Sequence, residues 1–191
     1  EEYHPHCQYG IVDTPGRWDH FATTLMAHVA NDDGVNGTVV VAPGDMLFPF
    51  NRYASDPVTF KIKKGKITAI DGGVDAVLIK DYMESFDDER GYAISHIGWG
   101  LNERARWSSL ATDFYRSIGV ESRAYYGNVL FSTGPNTELG GTNDTSCQID
   151  IQMRNCSMYL DDETVLVDGE FVIDDLKAPR TAFAPPSFAR A

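Results

Sequence analysis

Val58 to Lys63 and Lys66 to Ile70 alternate apolar and polar residues on either side of Lys64-Gly65. A side-chain period of two belongs to a strand with one face in a core, and Lys64-Gly65 supplies the positive φ of a two-residue hairpin turn. The arrangement recurs at Thr164 to Val167 and Glu170 to Ile173 around Asp168-Gly169, and is expected at Thr38 to Ala42 and Met46 to Phe50 around Pro43-Gly44. Hairpins pair their strands antiparallel, so they dictate most of the scaffold. Two helices are expected between them. Val74 to Phe86 follows the Asp71-Gly72-Gly73 break and spaces Val77, Leu78, Asp81, Tyr82 and Phe86 helically. Asn102 to Ile118 places Leu110, Phe114 and Ile118 three or four residues apart, with Asn102 as cap and Gly119 as stop. The elements lack the regular strand–helix alternation of a doubly wound sheet. The expectation is an α+β fold, a curved, largely antiparallel sheet of hairpins with packed helices, forming one domain over residues 1–191. Gly72-Gly73 and Gly140-Gly141 read as turns, because neither shows a strand running straight into a helix as a phosphate loop requires. The tail from Ala178, with Pro179, Pro185 and Pro186, reads as an extended arm.

Composition narrows the function classes. A chain of 191 residues with 42% hydrophobic content can bury a substantial core. Its 28 acidic residues outweigh 16 basic ones, for a formal charge of −12, which argues against nucleic-acid binding since phosphate contacts need clustered Lys and Arg. No stretch has the uninterrupted apolar run of a signal peptide or membrane helix, so a soluble, cytoplasmic protein is expected. The chain opens on Glu1 rather than Met, which implies a preceding segment. Cys7, Cys147 and Cys156 match no zinc or disulfide spacing and read as reduced thiols.

Chemistry concentrates in two runs. Cys147 to Met153 alternates so that Ile149, Ile151 and Met153 face one side of a half-buried strand, while Gln148, Asp150 and Gln152 face the other. Aspartate is disfavoured in strands and costly to bury alone, so Asp150 needs a partner, either a metal or an arginine such as Arg154. Ser95 to Asn102 holds His96 among small and aromatic residues, where it is either a hydrogen-bonded core histidine or a ligand. His4 and His6 flank Pro5 near the chain start and read as exposed. Trp99, Trp107, Phe114, Tyr125 and Tyr126 could wall a flat ring pocket, and core packing explains them equally well.

The segments Tyr9 to His20, Asp33 to Asp45, Ser95 to Asn102, Gly127 to Asn136 and Gln148 to Asp162, taken in order, resemble the 2,5-dihydroxypyridine 5,6-dioxygenases, themselves distant relatives of thermophilic-type metallo-aminopeptidases. The likeness covers the C-terminal half of such an enzyme, whose members begin with a further α/β region. It implies ring opening of a dihydroxylated pyridine by dioxygen at a mononuclear non-haem Fe(II) held by two histidines and a carboxylate, with open positions for both reactants. On this carry-over His96 and Asp150 are metal ligands. Gln148 stands where the family has the histidine of its His-x-Asp pair, and an amide oxygen is a weaker donor for Fe(II). The Trp18-Asp19-His20 segment corresponds to one near the family pocket, which makes His20 either a substrate contact or proton handler or a residue that caps a loop. Glu138 falls in a loop the family places near its metal, although a solvated glutamate reads equally there.

Three function classes follow. The first is a ring-cleaving dioxygenase domain taking 2,5-dihydroxypyridine to N-formylmaleamate, with a small aromatic N-heterocycle and dioxygen as partners and a homo-oligomer or the missing N-terminal half completing the pocket. The second is a metallo-aminopeptidase-like hydrolase, for which the motif offers few of the carboxylates and histidines that two bridged ions require. The third is a non-catalytic domain with a degenerate metal site.

Overall fold

The computed structural model describes residues 5–17, 19–20, 24–29, 33–112 and 120–178. In chain order the strands are β1 (His6–Gln8), β2 (Leu25–Val29), β3 (Gly37–Val41), β4 (Met46–Phe48), β5 (Arg52–Tyr53), β6 (Val58–Lys63) and β7 (Lys66–Gly72). After helix α1 (Val74–Glu84) come β8 (Ile94–Gly100), the short helices α2 (Ser109–Thr112) and α3 (Val120–Ala124), and then β9 (Val129–Thr133) and β10 (Ile149–Met153). β11 (Met158–Leu160), β12 (Glu163–Val167) and β13 (Glu170–Phe171) close the order. All strand pairs among the described residues are antiparallel, in a seven-stranded sheet β1-β2-β8-β9-β10-β4-β5 and two three-stranded sheets, β3-β6-β7 and β11-β12-β13. No helix among them is long and apolar enough to cross a membrane.

The main core lies between the seven-stranded sheet and β3-β6-β7. Phe131, Ile149 and Ile151 from the large sheet meet Val58, Phe60 and Ile70 from the small one, with the Phe60 and Phe131 ring centroids 5.8 Å apart. From α1, Ala76, Ile79 and Met83 join this cluster. The helix is where its sequence spacing predicts, but its buried stripe is rotated. Val77 and Asp81 are exposed, whereas Asp75 is fully buried. The reason is electrostatic. The Asp75 carboxylate accepts the Ser55 and Asp56 N–H groups at 2.6 and 2.9 Å and pairs with Arg52 at 3.0 Å, pinning that face inward.

Both hairpins around Lys64-Gly65 and Asp168-Gly169 form, with all four turn residues at positive φ. The third does not. β3 pairs with β6 and β4 with β10, so the chain changes sheets at Pro43-Gly44. Asp45 holds the crossing, its carboxylate accepting the N–H of Ala42 and that of Arg154, each at 2.8 Å. The long helix expected from Asn102 is also corrected. Asn102 forms a parallel bridge with Tyr125, its side chain accepts the Arg104 N–H at 3.0 Å, and helix begins only at Ser109. Phe114, Ile118 and Gly119, like the tail beyond Ala178, lie outside the described residues. Gly72-Gly73 does join a strand directly to a helix, contrary to the sequence reading. Its helix N-terminus is already filled, since the Asp56 carboxylate accepts the Val74 N–H at 3.1 Å.

The small C-terminal sheet docks through a close backbone approach. Gly127, at φ +82°, leads into β9, and a Cβ there would sit 1.9 Å from the Gly169 carbonyl oxygen. Gly140 also has positive φ, +87°, but faces open space. Gly127→Ala is expected to cost about 2–4 kcal/mol, from backbone strain plus overpacking, and Gly140→Ala only about 1–2 kcal/mol. Urea denaturation midpoints of the two variants check the difference.

Candidate active-site pocket

β10 is the fifth of seven strands, paired with β9 on one edge and β4 on the other. Ile149, Asp150, Ile151 and Gln152 are all buried, where the alternation alone predicts a half-buried strand. The alternation still sorts the side chains. Ile149 and Ile151 enter the main core, while Asp150 lies across from Ser132 on β9 and Phe48 on β4. Gln152 on that face is fully buried with neither amide atom hydrogen-bonded.

A cavity of about 270 Å³ opens above Gln148 and Asp150. His96 reaches it from β8, where a register shift between Ile94 and Ile97 interrupts pairing with β9. His20 comes from the loop before β2, Arg123 from α3, and Leu130 from β9. His20, His96, Gln148 and Asp150, the four residues singled out in the sequence, therefore share one cavity. His6, Gln8 and Arg123 also line it. His6 was expected to be exposed, and Arg123 sits in a Glu-Ser-Arg-Ala stretch with no local signal. Glu138 is at the exposed rim, where its charge acts on His20. The described aromatics Trp99, Trp107, Tyr125 and Tyr126 pack in apolar clusters and do not line the cavity.

The partner of Asp150 is Arg123, not Arg154. The Arg123 Nη2 lies 2.8 Å from Asp150 Oδ2, and the carboxylate is only 3% exposed. The Ser132 hydroxyl donates to Oδ1, and Gln148 Nε2 donates at 3.3 Å. Arg154 instead lies over the Trp107 ring, 4.1 Å from its centroid. An isolated buried carboxylate would carry a desolvation cost of several kcal/mol; here a cation and two neutral donors offset it.

The two histidines are oriented by neighbours. The Ser95 hydroxyl donates to the Pro135 carbonyl, so its oxygen is left to accept from His96 Nδ1 at 2.7 Å. The His96 proton is thereby placed on Nδ1 and the basic lone pair on Nε2. The Gln8 Oε1 likewise accepts from His20 Nδ1 at 3.2 Å, which makes Nε2 the basic nitrogen there. Burial, then the Arg123 charge, hold His20 below the ordinary imidazole value against the pull of Asp19 and Glu138. Burial also lowers His96, opposed by Asp150 and aided by Arg123 and His6. Among the described residues, no three His, Cys, Asp or Glu side chains cluster closely enough to hold a metal ion.

The chain is similar to known proteins along most of its length. The family description 2,5-dihydroxypyridine 5,6-dioxygenase matches residues 1–173. A curated 2,5-dihydroxypyridine 5,6-dioxygenase from Pseudomonas putida is 46% identical over 166 residues, which are 86% of this chain and 47% of that protein. The solved structure of 2,5-dihydroxypyridine dioxygenase from Pseudomonas putida KT2440 superposes with a TM-score of 0.87 at 44% identity, covering 91% of this chain and 50% of the other. The chain thus spans about half the length of the relatives it matches.

The lowered histidines have a stability consequence. Between their folded values and about 6.5, the unfolded chain binds more protons than the folded one, so stability is full above about pH 6.5 and is lost as pH falls below it. The urea midpoint is expected to drop between pH 7.5 and 5, above the range where ordinary carboxylates titrate. His20→Asn should make that drop smaller, as measured by denaturation curves across the window.

Proposed function

Since the chain belongs to the 2,5-dihydroxypyridine 5,6-dioxygenase family, we propose that it forms the part of a ring-cleaving dioxygenase that receives a dihydroxylated pyridine. The reaction assigned to the assembled enzyme is 2,5-dihydroxypyridine plus dioxygen to N-formylmaleamate, both oxygen atoms entering the product. The observation that carries the reading is the convergence of His20, His96, Gln148 and Asp150, from three separated segments, on one cavity in a chain similar to that family along nearly its whole length. At about 270 Å³ the cavity is near the small end of ligand pockets, suited to a single ring. The wall that completes it is assigned to the other half of the family polypeptide or to a neighbouring copy.

His20 is the proton handler in this reading. Its Nδ1–H is tied to Gln8, and burial together with Arg123 keeps the ring neutral near pH 7, so Nε2 can take a proton from a ring hydroxyl. His96, with its tautomer set by Ser95, presents Nε2 to the same space. The Gln148 amide can hydrogen-bond a hydroxyl or ring nitrogen.

The iron that the resemblance implies would have His96, Asp150 and Gln148 as its donors. These residues do not fit a centre of two histidines and one carboxylate. The set contains one imidazole, the Gln148 amide NH₂ is turned onto Asp150, and Arg123 already neutralises that carboxylate. The pocket as it stands therefore lacks a complete donor set for Fe(II). The Arg123–Asp150 pair favours a second reading, a domain that binds the heterocycle without turning it over. The aminopeptidase-like reading, which asks for more metal donors still, has less support.

Titration of the chain with 2,5-dihydroxypyridine, followed by the ligand's ultraviolet absorption, is expected to give saturable binding that weakens at least tenfold in His20→Ala. With Fe(II) and the complementary half of a family enzyme, oxygen uptake should be low and should rise in Gln148→His. Binding without oxygen uptake in both forms would select the second reading. Absence of both binding and oxygen uptake would overturn the proposal.

A further inference from the structure

The mismatch between the pocket and a three-ligand iron centre has a particular residue at its origin. Asp150 can offer acceptor sites on two oxygens, and protein donors take both: Ser132 on Oδ1, Arg123 on Oδ2 at 2.8 Å, and Gln148 across them at 3.3 and 3.5 Å. Arg123 is not a loose surface cation that happens to touch the carboxylate. Asn128 is fully buried, and its Nδ2 donates to the carbonyls of Arg123 at 2.9 Å and Tyr125 at 2.6 Å, fixing the end of α3. Ser122 and Ala124, on either side of Arg123, are completely buried. The backbone is therefore anchored while the guanidinium projects into the cavity with Asp150.

A guanidinium cannot be deprotonated at physiological pH, so its charge at this position is permanent. A divalent ion arriving at the same carboxylate meets both a lost ion pair and a like charge at close range. We propose that Arg123 is a tethered counter-ion that competes with divalent metal for the Asp150 carboxylate, making it a determinant of metal affinity in this pocket beside the Gln148 exchange. The inference rests on the reading of this cavity as the family pocket. Its consequence is that two residues hold metal affinity down, one by supplying a weak donor and the other by occupying a strong one. Restoring a histidine at position 148 alone leaves the second obstacle in place.

The test is a titration with Co(II), followed by visible ligand-field absorption and calorimetry at pH 7.5, on the wild type and on Arg123→Met, Gln148→His and the double variant. Arg123→Met is expected to bind Co(II) at least tenfold more tightly than the wild type, and to give a comparable gain in the Gln148→His background. Adding Asp150→Asn should abolish the gain. If folding fails in Arg123→Met, by circular dichroism, then Arg123→Gln, which keeps a hydrogen bond to Asp150 without the charge, carries the same expectation. Affinity unchanged or lowered in a folded Arg123 variant would overturn the proposal, because a purely structural arginine gives no gain on removal. The readout does not involve dihydroxypyridine, so its outcome is separate from whether that heterocycle is the substrate.

Discussion

The register of β10 between β9 and β4 is the constraint on which the rest of the molecule depends. Ile151 lies opposite Phe131 and Leu47, while Asp150 lies opposite Ser132 and Phe48. A slip of one residue would exchange these sets and drive a carboxylate into the cluster around Phe60. The cost of burying that charge among apolar side chains makes the register effectively unique. Core and pocket are thus opposite faces of one ladder, and the packing that stabilises one orients the other.

Around that ladder the pocket is assembled from pieces with little sequence in common. Ser95 sets the His96 tautomer by using its own proton on Pro135, and Gln8 does the corresponding service for His20. Both depend on strands or loops brought together by the seven-stranded sheet. The charge balance is equally non-local, since Arg123 and Asp150 are distant in the chain and adjacent in space. Gln148 puts an amide NH₂ beside the carboxylate and adds a donor to Asp150.

Much of this was legible beforehand, and the failures share a cause. The hairpins at Lys64-Gly65 and Asp168-Gly169 and the helix from Val74 are local objects, written in turn residues and periodicity. His20, His96, Gln148 and Asp150 were legible through motif resemblance. The Pro43-Gly44 segment has the same local look, but Asp45 ties it to Arg154, and it crosses between sheets instead of closing a hairpin. The helical spacing after Asn102 lost to a bridge with Tyr125. The stripe of α1 turned because Asp75 found Arg52 and two backbone donors. In each case a long-range polar contact outweighed a local preference worth only tenths of a kcal/mol per residue.

The sequence by itself determined an antiparallel, hairpin-rich scaffold and the alternation that separates Ile149 and Ile151 from Asp150. Turn chemistry and side-chain period act between near neighbours, so they can be read along the chain. Tertiary structure alone decided which strands share a sheet, how His6 and Gln8 reach the cavity, and that Arg123 rather than Arg154 answers the buried charge of Asp150. A buried carboxylate demands a partner, but the chain offers sixteen lysines and arginines. Only the packing of α3 against the sheet brings Arg123 within reach.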